Sequence, residues 1–212
     1  MQRNNKTVKP LRAGNLAIFV RNPTSVKSMK EEVKSTASRF GIIAAVISIA
    51  YTLIAYLFDL SLMVNPWMGI ALWVIGLVIY IVAVSQTRNK LGGFISFRDA
   101  FSSFILAYII SSLLATAFNI LLFTAIDPGA AEELQDMSIE ATVEMLENFG
   151  APTSQIEDTI DQMEGTNQFS VLQVVEGFFW GIVVYAIIGL IVAAIMKRNP
   201  PVITDNGDSP EE

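Results

Sequence analysis

Residues 40–58 of the chain read FGIIAAVISIAYTLIAYLF, an uncharged run that predicts a helix spanning a membrane. About 20 apolar residues are needed to cross roughly 30 Å of hydrocarbon, because an α-helix rises about 1.5 Å per residue. The apolar sequence continues past this run, but Asn65-Pro66 favours a turn. We therefore place the first span at about 40–62.

Three further segments are apolar and long enough to cross a bilayer. They cover about 67–84, 101–126 and 171–196, and the last is interrupted only by Glu176. The connection between the first two spans is short, so these helices should be antiparallel neighbours. The sequence thus predicts an all-α fold: a polytopic membrane four-helix bundle with an acidic helical hairpin between spans three and four.

The composition agrees with a membrane protein and excludes many kinds of catalysis. Of the 212 residues, 52% are hydrophobic and only 16% are charged, which is too apolar for a soluble domain of this length. The chain contains no Cys and no His. Thiolate nucleophiles, disulfides, imidazole bases and most zinc sites are therefore excluded. We expect no enzymatic activity, no cofactor and no metal site.

Basic and acidic residues are segregated along the chain. All 14 Lys and Arg residues lie in the segments 3–39, 88–98 and 197–198. The segment 127–170 has no Lys or Arg but eleven acids: Asp127, Glu132, Glu133, Asp136, Glu140, Glu144, Glu147, Glu157, Asp158, Asp161 and Glu164. Because cytoplasmic loops are enriched in basic residues, both termini should be cytoplasmic and the acidic segment should lie outside.

Both ends of the chain are predicted to be disordered. Residues 1–28 are basic and have no sustained period, and 199–212 form an acidic tail. Met29 stands where a helix leading into span one would begin, so translation starting at Met29 is one hypothesis for the upstream stretch. The other is a basic arm that lies on anionic lipid.

The acidic segment 127–170 carries apolar residues at helical spacing. A first helix is predicted from Leu134, Met137, Ala141, Met145 and Phe149. Gly150-Ala151-Pro152 should end it, and Ser154 with Glu157 forms a capping-box pattern that would open a second helix. The acids are either solvated helix faces or a surface for cations or a basic partner.

Small residues along the spans predict close contacts between helices, because they let helix backbones approach each other in lipid. The candidate packing residues are Gly41, Ala45, Gly177, Gly181 and Gly189. Span three also carries a polar stripe at helical spacing, formed by Tyr108, Ser112, Thr116 and Asn119.

Four polar residues near the outer ends of the spans form a candidate intramembrane cluster: Asp59, Asn119, Gln173 and Glu176. Glu176 lies about 8 Å and Asn119 about 10 Å inside the ends of their spans, at the helical rise per residue. An ionisable group at such depth costs on the order of 2.5–3.5 kcal/mol and is a functional hypothesis by default. If span four begins one turn later, Glu176 is interfacial and the cluster is absent.

The connection between spans two and three reads LGGFISFRDAF over residues 91–101. Its pattern of Gly93, Phe97, Ala100 and Phe101, set between the second and third of four spans, resembles the bacterial membrane family catalogued as domain of unknown function 4199. The resemblance covers roughly residues 29–198. It implies a location in the bacterial inner (cytoplasmic) membrane, and because the family has no assigned reaction it implies no catalytic residue.

Two functions remain open. The first is a structural or accessory membrane protein whose acidic outer hairpin binds a partner. The alternative is a small transporter or channel subunit that acts as an oligomer, which the polar stripes favour. Beyond the lipid bilayer, the expected partner is a second copy or another membrane protein, and no nucleic acid is expected.

Overall fold

The computed structural model describes residues 23–198, with side chains from residue 29 onward, and this part of the chain contains no β-strand. Its elements are α1 (Pro23–Phe58), α2 (Ser61–Val64), α3 (Pro66–Lys90), α4 (Phe97–Ile120), a π-helix π1 (Leu121–Ile126), α5 (Pro128–Asn148), α6 (Thr153–Glu164) and α7 (Val171–Met196). Four of these are long and apolar enough to cross a membrane: α1, α3, α4 together with π1, and α7. The all-α fold with four membrane helices is confirmed.

Helix α4 lies at the centre of the bundle and packs against α1, α3 and α7. The shared core is rich in alanine, which allows close approach of helices. Its buried members are Ala37, Ala44, Tyr80, Ala83, Val84, Ile95, Ala100, Phe104, Ala107, Tyr108, Val192 and Ala193. Helix α3 packs mainly against α1 and α4 and approaches α7 over only a short stretch.

Helix α1 approaches α4 closely at Gly41. A Cβ atom on Gly41 would lie 2.7 Å from the carbonyl oxygen of Ala107 and 3.0 Å from Cβ of Ile110. Neighbouring Ala45 is buried as well. The absence of a side chain at position 41 therefore sets the distance between the two helices.

The first span ends earlier than the predicted residue 62. Helix α1 stops at Phe58, and the carboxylate of Asp59 accepts the backbone N–H of Ser61 at 2.9 Å, which opens the short helix α2. The side chain of Asn65 then accepts the backbone N–H of Trp67 at 2.9 Å and caps α3. The side chains of Asp59 and Asn65 thus determine where α1 ends and α3 begins. The length of the uncharged run did not indicate this boundary.

The opposite end of the bundle carries the glycine turn between α3 and α4. Gly92 and Gly93 have φ of 78° and 89°, which side chains with a Cβ rarely adopt. Ser96 caps α4, and Ile95 exchanges two backbone hydrogen bonds with Arg198 at 3.1 and 2.9 Å. In the motif, Ala100 is fully buried, Phe97 is exposed and Phe101 is half-buried beside Gly189.

The remaining boundaries also differ from the sequence prediction. Helix α3 continues to Lys90, beyond the predicted end of the span at about 84. Charged residues mark where a helix leaves the apolar layer, but the helix itself can continue past them. Residues 23–28, assigned to a disordered arm, are the first turns of α1, which begins before Met29. Residues 1–22 and the predicted tail 199–212 lie outside the described residues.

The acidic segment contains two helices separated at Gly150, whose φ is 73°. The predicted capping box at Ser154 does not form: α6 begins at Thr153, and no side chain caps it. Instead, the carbonyl oxygen of Pro152 accepts the N–H groups of Gln155 and Ile156. The fixed backbone of Pro152 therefore starts this helix.

Replacing Gly41 with Ala should destabilise the bundle. The new methyl group would lie 2.7 Å from the Ala107 carbonyl oxygen, and overpacking of this kind costs about 1–3 kcal/mol. Gly69→Ala is the matched control, because a Cβ there meets nothing within 4 Å. Thermal unfolding in detergent should give a lower midpoint for Gly41→Ala only. Equal midpoints for both variants would contradict the close approach of α1 and α4.

Candidate functional site

The four residues of the predicted intramembrane cluster do not come together. Asn119 faces the interior between the helices, whereas Glu176 is exposed on the opposite side of α7, beside Phe179, Trp180 and Val183. The reason is the helical rotation of about 100° per residue. The next residue of α7, Gly177, lines the cavity between the helices, whereas the side chain of Glu176 is exposed to the surroundings of the bundle.

The two other members of that cluster lie at helix ends. Asp59 follows α1, and hydrogen bonds from the side chain and backbone of Ser61 lower the pKa of its carboxyl group. Gln173 lies in the first turn of α7, where its backbone N–H donates to Ser170 Oγ at 3.4 Å. Both residues therefore contribute to helix termini and not to a shared site.

A half-open cavity of about 380 Å³, which we call the internal cavity, lies between the four membrane helices. All four residues of the predicted polar stripe on α4 line it. Its side chains that can form hydrogen bonds are Ser48, Trp73, Tyr80, Tyr108, Ser111, Ser112, Thr116, Asn119 and Tyr185. No charged residue lines the cavity. Its walls therefore combine hydroxyl and amide groups with aromatic rings and carry no formal charge.

Aromatic rings close one end of this internal cavity. Tyr108 and Tyr185 stack with ring centroids 4.0 Å apart, and Tyr80 meets them edge-on at 5.9 and 5.7 Å. Phe104, which is fully buried, packs against Tyr80 at 5.8 Å just beyond. The cavity therefore has a floor toward the Gly92-Gly93 turn and does not cross the bundle.

Two glycines of α7 face this region with different surroundings. Gly181 lies directly against the hydroxyl of Tyr108, and a Cβ atom there would overlap it. A Cβ on Gly177 would meet nothing within 4 Å. Gly181 thus makes room for the aromatic floor, while Gly177 borders open space in the cavity.

The sequence identified the α4 stripe but missed Tyr80, Ser111 and Tyr185. Tyrosines in transmembrane helices favour the headgroup zone, and these two lie far from the ends of α3 and α7. The position of Tyr185 in the middle of the predicted fourth span was the available signal for an interior polar site. Tyr80 lies near the end of the predicted second span, and only the continuation of α3 to Lys90 shows that it is far from a helix end.

The acidic segment is fixed to the ends of the membrane helices through Asp127. One carboxylate oxygen accepts the hydroxyl of Tyr56 at 2.9 Å, and the other accepts the backbone N–H of Ala130 at 3.1 Å. Fully buried Leu134 packs with Leu122 and Phe123 of π1. The first turns of α5 are therefore held in place by polar and apolar contacts.

Gln135 connects α5 to the chain that follows α6. Its amide nitrogen donates to the carbonyl oxygens of Met163 and Thr166 at 2.8 and 3.3 Å, and its amide oxygen accepts the N–H of Gln168 at 3.0 Å. All three partners are backbone groups, so no residue pattern indicates this contact. A single side chain thus fixes α5 against the entry to α7.

A groove of about 500 Å³ lies between the start of α3 and the second half of α5. We call it the acidic-end groove; its lining residues include Trp67, Ile70, Glu144, Met145 and Phe149. Trp67 is 77% exposed and Phe149 is 83% exposed. The predicted apolar stripe of α5 is thus buried at Leu134 but open to the surroundings at its far end.

The ten acids on α5 and α6 are all exposed. Among the residues whose side chains the structure describes, the ion pair present is Lys90–Glu32 at 3.2 Å, at the opposite end of the bundle. The described residues also contain no group of three or more side chains that could hold a metal ion. The carboxylates therefore form a dispersed negative surface next to the acidic-end groove.

Comparison with known proteins gives one match. A family model described as "Protein of unknown function (DUF4199)" matches residues 39–198, which confirms the resemblance noted in the sequence. No curated protein and no solved structure matches the chain.

Gln135→Ala should loosen the connection between α6 and α7. Losing hydrogen bonds worth about 1 kcal/mol each should speed amide hydrogen exchange by about tenfold or more over residues 163–168. Gln155→Ala, on exposed α6, is the control and should leave that exchange unchanged. Unaltered exchange in Gln135→Ala would show that this side chain does not hold the connection.

Proposed function

This chain belongs to the DUF4199 family of proteins of unknown function, and from that premise we propose that it is an accessory protein of the bacterial inner membrane. In this proposal, the acidic-end groove holds a basic, amphipathic segment of another membrane protein. The four membrane helices serve to fix the groove at the membrane surface.

The observation that carries the proposal is the combination of exposed aromatic residues and carboxylates at the acidic-end groove. Trp67 and Phe149 expose large apolar surfaces, and aromatic residues of this kind dominate the energy of many protein interfaces. Glu144 also lines the groove and is exposed. A helix with one apolar face and flanking Lys or Arg residues would match both features.

The anchoring of α5 supports the same proposal. Asp127, Gln135 and Leu134 fix the first half of this helix to the bundle and to the start of α7. A preorganised surface loses less entropy on binding than a mobile loop does. The groove is therefore presented by a scaffold whose position is set by several independent contacts.

The proposed orientation puts both termini in the cytoplasm and the acidic segment outside. It is supported by the described basic residues, which all lie at or near the end of the bundle opposite α5 and α6: Lys30, Lys34, Arg39, Arg88, Lys90, Arg98, Lys197 and Arg198. Basic residues prefer the cytoplasmic side of a membrane protein. The proposal requires no catalysis and no cofactor, which suits a chain without His or Cys.

The second candidate is a subunit of a transporter or channel, and the internal cavity favours it. Polar sites near the middle of the bilayer are typical of transporters. The aromatic floor formed by Tyr80, Tyr108 and Tyr185 closes the cavity within one chain. Passage of a solute would therefore require movement of these rings or a pore between several copies.

Binding of a synthetic Lys/Leu amphipathic helix to the purified protein in zwitterionic nanodiscs tests the accessory role. Glu144→Lys combined with Phe149→Ala should weaken binding by at least about tenfold, or about 1.4 kcal/mol, measured by thermophoresis against empty nanodiscs. Glu157→Lys changes the charge equally, but on α6 and outside the groove lining.

The Glu157→Lys control distinguishes peptide binding in the acidic-end groove from non-specific attraction to the negative surface. We expect Glu157→Lys to bind the peptide within about twofold of the wild type, since long-range attraction between exposed charges is screened by salt. Equal losses in the two variants, or no binding to the wild type, would contradict the proposed groove.

A further inference from the structure

We propose that the internal cavity binds an uncharged, polyhydroxylated group, such as a glycerol or sugar unit. The group belongs either to a membrane lipid or to a free solute. This site shares no lining residue with the acidic-end groove, so ligand binding in the cavity does not depend on the proposed accessory function.

The depth of the cavity is the first argument. Its lining on α3 extends from Leu72 to Tyr80, which corresponds to about 9–21 Å from the start of that helix at 1.5 Å per residue. This range lies within the roughly 30 Å of hydrocarbon that α3 would cross. Polar groups at such depth cost free energy unless they find partners. The hydroxyl and amide groups of the lining therefore favour an occupant that forms hydrogen bonds over an acyl chain.

The second argument is an unsatisfied acceptor. The side-chain oxygen of Asn119 is buried and has no hydrogen-bond partner among the described residues. Buried polar atoms in native proteins nearly always have one. Ser112, by contrast, already donates its hydroxyl to the carbonyl oxygen of Tyr108 at 2.9 Å. Asn119 also lines the cavity, so a rotation of its amide group would turn this oxygen toward a donor of an occupant.

The remaining lining of the cavity is polar but uncharged. Ser48, Ser111 and Thr116 present hydroxyl groups that both donate and accept, and no charged side chain is present. A charged ligand would be left without a counter-charge in a site of low dielectric, at a large cost. Hydroxyl groups of the ligand satisfy this wall without introducing charge.

Size and shape agree with this ligand class. A volume of about 380 Å³ lies in the range of small-molecule sites. The stacked rings of Tyr108 and Tyr185 provide an apolar floor for the C–H face of a sugar or glycerol unit. The mixture of an aromatic surface with a few hydrogen-bonding groups is typical of ligand pockets.

The weak contact between α3 and α7 supplies a route of entry. Trp73 of α3 lines the cavity and is exposed, and Gly177 of α7 borders it with free space around its Cα. A lipid can therefore place its head group in the cavity from the side while its chains remain in the bilayer. A free solute would instead enter from the end of the bundle that carries α5.

Fluorescence of Trp73 provides the test, because the chain has three Trp residues and the other two can be replaced by Phe. The Trp67→Phe, Trp180→Phe protein in phosphatidylcholine nanodiscs is titrated with monoglucosyl dioleoylglycerol, with free glucose and with dioleoyl phosphatidic acid. We expect a saturable change with the glycolipid or with glucose, and none with phosphatidic acid. A response to the glycolipid alone identifies a lipid ligand, and a response to glucose alone identifies a solute.

Two variants link the response to the cavity. Gly177→Leu fills the cavity and Asn119→Leu removes the free acceptor, and each should raise the apparent Kd at least about tenfold. Asn119→Leu also removes an unsatisfied buried group, so it should fold at least as stably as the parent protein. Val183→Leu, on the exposed face of α7, is the control and should bind normally.

Three results would overturn the proposal. The first is no saturable response to either the glycolipid or glucose. The second is normal binding by both Gly177→Leu and Asn119→Leu. The third is equal binding of phosphatidic acid, which would contradict selection for an uncharged group.

Discussion

The exclusion of unpaired polar groups from hydrocarbon is the constraint on which this structure depends. It forces the chain into helices, whose backbone groups pair internally, and it moves helix ends and charges out of the apolar layer. Side chains then close the helix starts: Asn65 for α3, Ser96 for α4, Asp127 for α5 and Ser170 for α7. Apolar spans, capped termini and segregated charges are three consequences of the same requirement.

Packing within the layer is governed by the central helix α4. Gly41 lets α1 approach its backbone, and Gly189 lets α7 approach Phe104, so the half of the bundle near the glycine turn is tightly closed. Toward the acidic segment, the polar face of α4 borders a cavity instead of a neighbouring helix. Small residues act in two ways. Gly41 and Gly189 let helices touch α4, whereas Gly76 and Gly177 line the cavity and leave room for a ligand.

The sequence predicted the elements of the fold but not the faces they present. Crossing a bilayer depends on length and apolarity, which are local properties, so four spans could be located without any tertiary information. The side of α7 that Glu176 occupies depends on how the helix is rotated in the bundle. For this reason Glu176 does not lie beside Asn119 as predicted. The four residues of the stripe belong to one helix, so their common face could be predicted, and all four line the cavity.

Contacts between segments far apart in the chain could likewise not be predicted from the sequence pattern. Gln135 meets three backbone groups of residues 163–168, and the pairing of Tyr56 with Asp127 joins two positions far apart in the chain. The start of α6 was misplaced because Pro152, and not Ser154, organises its first turn. In each case the deciding partner is set by tertiary structure.

The most direct test of this account is the sidedness of its two charged ends. Because the chain has no Cys, single Cys residues can be introduced at exposed positions 154 and 89, as Ser154→Cys and Asn89→Cys. Labelling of intact spheroplasts with a membrane-impermeant maleimide should modify Ser154→Cys at once, and Asn89→Cys only after lysis. The opposite pattern would contradict the proposed orientation, and equal labelling of both before lysis would contradict the separation of the acidic and basic ends by a membrane.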